Sequence, residues 1–76
     1  MPRPYRLRVY DGTYEVLRNR ILAAYLDLDD WPTVAEQLDR QLAALTLQAS
    51  RAGESMDAGR LEVWDDAVKI LDWTGV

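Results

Sequence analysis

The chain has 76 residues, with nine Lys or Arg against thirteen Asp or Glu, a net charge of −4, and neither Cys nor His. A chain this short makes one domain over residues 1–76 and buries only about 60% of the surface its unfolded form exposes. Without Cys or His, disulfides and zinc sites are excluded as sources of extra stability, which leaves self-association, and a homodimer is expected.

The same absences remove the usual general base at neutral pH and the common nucleophile–base pairs, so the chain is not expected to be an enzyme or to hold a metal or cofactor. Apolar residues make up 49% and charged residues 29%, a balance typical of a folding globule. No apolar block of a signal peptide and no run of about 20 apolar residues is present, so the chain is expected to be soluble, without membrane partners. The lack of Cys suits a reducing compartment, and the expected location is cytoplasmic.

Charge is unevenly placed. The first twenty residues carry five arginines against Asp11 and Glu15, a net of +3, which leaves −7 on the rest. Such a basic end is either a set of solvated strand and helix residues or a local contact surface.

Residues 5–10 (Tyr-Arg-Leu-Arg-Val-Tyr) alternate, with Leu7 and Val9 on one face and Arg6, Arg8 and Tyr10 on the other, and read as a half-buried strand. Asp11-Gly12 ends it. That dipeptide is a strong hairpin signal, so residues 13–17 have two readings, a returning strand or the start of a helix. The helix is preferred over 13–28, because Tyr14, Leu17, Ile21, Ala24, Tyr25 and Leu28 form one stripe at about 100° per residue, with Leu22 and Leu26 beside it.

Asp27, Asp29 and Asp30 before Trp31-Pro32 mark a break. Thr33 and Glu36 have capping-box spacing and open a second helix, 33–52, with Val34, Leu38, Leu42, Leu45 and Ala49 as its buried stripe. Leu47 lies opposite that stripe. Gly53 closes the helix, and a loop leads to two alternating runs around Asp65-Asp66, read as a hairpin over 60–73 in preference to a short helix over 64–73. The segments RLRVYDGTYEVL (6–17) and RLEVWDDAVKIL (60–71) echo each other, as two half-buried strands adjacent in one sheet would.

The fold expected is therefore α+β, two amphipathic helices packed on a small antiparallel sheet in the order β-α-α-β-β. Its core comprises Leu7, Val9, Leu17, Ile21, Tyr25, Leu28, Val34, Leu38, Leu42, Leu45, Leu61, Val63, Ile70 and Leu71. The carboxylate pairs Asp29-Asp30 and Asp65-Asp66 read as turn formers and caps, and no glycine-rich phosphate cradle or calcium loop is present.

Elimination leaves surface recognition. Three Trp and four Tyr in so short a chain favour a small non-enzymatic protein-interaction or regulatory module, binding a protein partner or a second copy of itself. Leu22, Leu26, Leu47, Trp64 and Trp73 are the candidate interface residues, although core packing is the commoner fate of such side chains. The second reading is DNA binding. In element order, residues 5–45 resemble a ribbon-helix-helix repressor, which implies a strand paired with its twin across a dimer. In that reading Arg6, Arg8 and Tyr10 contact bases and Thr33 opens a phosphate-gripping helix. The long spacing between strand and second helix, the three aspartates at the turn and the surplus C-terminal hairpin depart from that pattern.

Overall fold

The computed structural model describes residues 1–74. Strand β1 (Arg3–Asp11) is followed by β2 (Tyr14–Val16), β3 (Leu22–Leu26), the helix α1 (Trp31–Arg51), β4 (Gly59–Asp65) and β5 (Val68–Trp73). All five strands join one antiparallel sheet.

Residues 13–28 are not a helix. The Asp11-Gly12 signal prevails: Asp11 pairs with Tyr14 around a two-residue turn, and Gly12 takes the positive φ of 63° that such a turn favours. The chain then returns along β1 in two pieces, with Val9 opposite Val16 and Leu7 opposite Leu22. The inward positions are even-numbered on both pieces, Val16 and then Leu22, Ala24 and Leu26, and the irregular stretch 17–21 between them adds buried Leu17 and exposed Ile21 out of step, which together with exposed Tyr25 and Leu28 mimicked a helical stripe. Ile21 and Tyr25, expected in the core, are 82% and 68% exposed, and Leu28 is exposed as well. Leu26, Val16 and Tyr5 are buried in their place.

The expected pair of helices on a sheet is thus one helix on a five-stranded sheet. The helix begins earlier than Thr33. Asp30 is its N-cap, without a side-chain cap bond, and Pro32 lies within the first turn. Proline is tolerated there because first-turn N–H groups have no intrahelical acceptor. Thr33 therefore sits inside the helix, and the capping box does not form. At the other end Gly53 adopts φ 80°, its N–H donates to the Ser50 carbonyl, and the Glu54 N–H donates to the Ala49 carbonyl. These two bonds define a Schellman motif.

Val34, Leu38, Leu45 and Ala49 of α1 pack on Tyr5, Leu7 and Val9 of β1, Val16 of β2, Leu26 of β3 and Leu61 and Val63 of β4. Leu42 and Leu71 pack against this cluster from its margin. Ile70, also expected in the core, is exposed, since the β4–β5 register shifts between Val63 and Trp64 and Ile70 is the extra residue. β1 and β4 pair with Leu7 opposite Val63 and Val9 opposite Leu61, so the two echoing segments are neighbours. Each is followed by a hairpin, the second turning at Asp66 with φ 56°.

Two substitutions separate the observed strand from the expected helix. Leu26→Ala should lower stability by about 2–5 kcal/mol, whereas Ile21→Ala should change it by no more than about 0.5 kcal/mol. Urea midpoints of the two variants measure both, and a large loss at Ile21 would contradict this strand arrangement.

Candidate functional site

Alternation on a sheet sends the residues between the core positions to the opposite face. On β1 these are Arg6, Arg8 and Tyr10. Cross-strand pairing sets Arg6 between Ala23 and Trp64, Arg8 beside Glu62, and Tyr10 between Glu15 and Arg60. On β5, Lys69 stands next to Trp64 and Asp72 next to Glu62. Among the described residues, no helix or loop covers this face.

Its side chains organise one another. The Arg8 guanidinium lies 4.5 Å from the centre of the Trp64 ring, and that of Arg60 lies 4.3 Å from the centre of the Tyr10 ring. Such cation–π pairs contribute about 0.5–1 kcal/mol each at exposed sites. Arg60 also donates through Nε to the Gly12 carbonyl (2.7 Å) and through NH1 to Glu62 and to Asp72 (2.8 Å). Trp64 Nε1 donates to Glu62 Oε1 at 2.9 Å, and Lys69 Nζ donates to Asp72 Oδ2 at 2.9 Å.

Glu62 is the centre of this layer and is only 5% exposed. Burial pushes its carboxyl up, but hydrogen bonds from Arg60 and Trp64, with the charges of Arg60 and Lys69, outweigh burial and hold it below its ordinary value. The hydrogen bond from Lys69, then the charges of Lys69 and Arg60, lower Asp72. Reciprocally, the bond to Glu62 raises Arg60 and the bond to Asp72 raises Lys69.

Beside this layer the strand break leaves an opening of about 180 Å³, lined by Arg6, Arg8, Arg18 and Arg20 with Glu15. Leu17, at φ 54°, turns the chain there with its side chain buried, and its N–H donates to Glu54 Oε2 at 3.0 Å. A left-handed conformation costs a non-glycine residue about 1–2 kcal/mol, and burial of Leu17 with the bond to Glu54 holds it.

The candidate interface residues do not form one surface. Leu26 belongs to the core, Leu22 and Trp73 pack against it, Leu47 is 53% exposed on the helix, and Trp64 stands on the open sheet face. Trp73 meets Trp31 edge to face, 5.8 Å between ring centres, and donates to Asp39 Oδ1 at 3.0 Å. Arg6, Arg8 and Tyr10 do share one face, but Thr33 is on the helix that covers the other. Moreover β1 is hydrogen-bonded on both sides, to β2 and β3 and to β4, so it has no free edge to pair with a twin. The ribbon arrangement implied by the repressor resemblance is absent.

Arg60, Glu62, Lys69 and Asp72 were not singled out from the sequence. For Arg60 and Glu62 the signal was the echo: registering 60–64 against 6–10 sets Arg60, Glu62 and Trp64 beside Tyr10, Arg8 and Arg6, whereas Lys69 and Asp72 are placed by the β4–β5 register. Asp29-Asp30 and Asp66 serve the helix start and the second turn. Among the described residues no group of three or more potential metal ligands is clustered, and no helix is long and apolar enough to cross a membrane. Comparisons with protein-family models, with curated protein sequences and with solved structures find no match for the chain.

The charge on Glu62 is testable by acidification. Glu62→Gln should reduce stability at neutral pH by about 1.5–3 kcal/mol, the scale of a hydrogen bond to a charged group. Because the folded-state pKa lies below the ordinary 4.5, this contribution is complete above 4.5 and disappears as pH falls through the folded value. Urea midpoints of wild type and variant should therefore converge on acidification below that range; a constant gap would show that the carboxylate charge contributes nothing.

Proposed function

We propose that the chain is a non-enzymatic protein-interaction module of the cytoplasm whose recognition surface is the open sheet face centred on Arg8, Glu62 and Trp64. The observation that carries this reading is the Arg8–Trp64 and Arg60–Tyr10 stacking on a face that no described element covers. Trp, Tyr and Arg are the residues that dominate binding energy in protein interfaces. Here their side chains are already held by cross-strand partners, so less conformational freedom is lost on binding.

Charge favours a protein partner over nucleic acid. The face carries Arg6, Arg8, Arg60 and Lys69, but Glu15, Glu62 and Asp72 stand among them, and a phosphate backbone laid across it would meet three carboxylates. Arg60 and Lys69 already have acidic partners, whereas Arg6 and Arg8 have no ion pair among the described residues. The partner is a protein surface that offers carboxylates to these two arginines and an apolar group to the Trp64 side of the face.

Selection of displayed peptides on the purified chain tests this. Enriched peptides should combine acidic and apolar residues, and their affinity should fall at least tenfold, about 1.4 kcal/mol, in Arg8→Ala/Trp64→Ala and stay unchanged in Leu47→Ala. No enrichment, or equal binding by the double variant, would defeat the reading. Binding of random duplex DNA that collapses with added salt and is lost in the double variant would assign the face to nucleic acid instead.

A further inference from the structure

The two edges of the sheet differ in kind. The β5 edge carries Lys69 and Asp72 and is distorted by the extra residue Ile70, devices that discourage pairing with another strand. The β3 edge has none of them. Residues 21–26 read Ile-Leu-Ala-Ala-Tyr-Leu, without charge, proline or glycine, and Ile21 and Tyr25 are strongly exposed. Among the described residues, the one side-chain bond to the β3 backbone is from Gln37 Nε2 to the Tyr25 carbonyl, at 3.3 Å.

Charge brackets this strand asymmetrically. Arg18 and Arg20 precede it, both exposed, and Asp27, Asp29 and Asp30 follow it. Arg20 reaches Gln48, and Asp27 meets the Met1 ammonium, while Arg18, Asp29 and Asp30 have no ion pair among the described residues. A strand with a basic end and an acidic end complements its own reverse.

We propose that two copies of the chain pair antiparallel through β3, about a two-fold axis near Ala24, joining their sheets into one. Leu22 then lies opposite the second copy's Leu26, and Ala23 opposite the second copy's Tyr25. Each basic stretch 18–20 lies beside the other copy's acidic turn 27–30. The strand itself brings no charge to the axis, so two molecules of net charge −4 meet there without local repulsion. Because the β5 edge is blunted, the association closes at two copies instead of extending into a fibre. The open face described above is left free on both copies, so the dimer stands or falls separately from that reading.

Sedimentation equilibrium over a concentration series tests the dimer. Wild type should sediment as a monomer–dimer equilibrium, Arg18→Glu/Arg20→Glu should weaken association at least tenfold, and adding Asp29→Arg/Asp30→Arg to that variant should restore it. Amide exchange at residues 22–26 should slow as wild-type concentration rises, with β5 amides unaffected. A wild type that stays monomeric throughout, a dimer indifferent to the first charge reversal, or concentration-dependent protection confined to β5 would overturn the proposal. Failure of the restoring variant to dimerise while remaining folded by circular dichroism would also overturn it.

Discussion

One helix can cover only one face of a five-stranded sheet, and the rest of this structure is organised by that limit. The apolar residues of α1 and of the covered face form a single cluster, with Val9, Val34, Leu38, Leu61 and Val63 wholly enclosed. Among the described residues nothing covers the opposite face in that way, so its order comes from polar and aromatic side chains laid across neighbouring strands. In a chain this small the second set of interactions stands beside the hydrophobic core as a source of stability, because the core itself is thin.

Arg60 ties that outer layer together. Its guanidinium touches the turn after β1 through Gly12, stacks on Tyr10, and reaches Glu62 and Asp72, so one side chain links three strands and a turn. A lysine in its place would keep the charge but lose the planar fork that makes these contacts simultaneously. Nearby, the Ala58 N–H donates to Asp11 Oδ1 and the Gly12 N–H to the Ala58 carbonyl, which clamps the first turn to the start of β4. Order on the outer face and cohesion of the sheet therefore depend on the same residues.

Much of the architecture was legible in the chain. β1, α1 and the β4–β5 hairpin each carry a clean period, two or 3.6, over a long enough run to be read, and Leu7, Val9, Leu38, Leu61 and Val63 were placed correctly inside. Residues 13–28 failed for a physical reason. Two strands separated by an irregular stretch scatter apolar residues at spacings of three and four, and leucine gives no sign that Leu17 adopts a left-handed conformation. The corrective signal was present in the echo, since its second half was read as a hairpin in one copy and as a helix in the other. Of the candidate site, Arg6, Arg8, Tyr10 and Trp64 were named in advance but divided between two functions. Their union on one face depended on the β1–β4 register, which no local pattern encodes.

The placement of β1 at the middle of the sheet sets the order in which this protein can assemble. Its outer hairpin partners follow it directly in sequence, but its inner partner β4 comes only after the whole helix. Until β4 is in place one flank of β1 is bare, and the sheet is closed by a contact of high sequence separation. Such contacts are slow to form because a long loop must be closed first. The helix lies between these partners in sequence, so the face it covers stays incomplete until β4 is paired with β1.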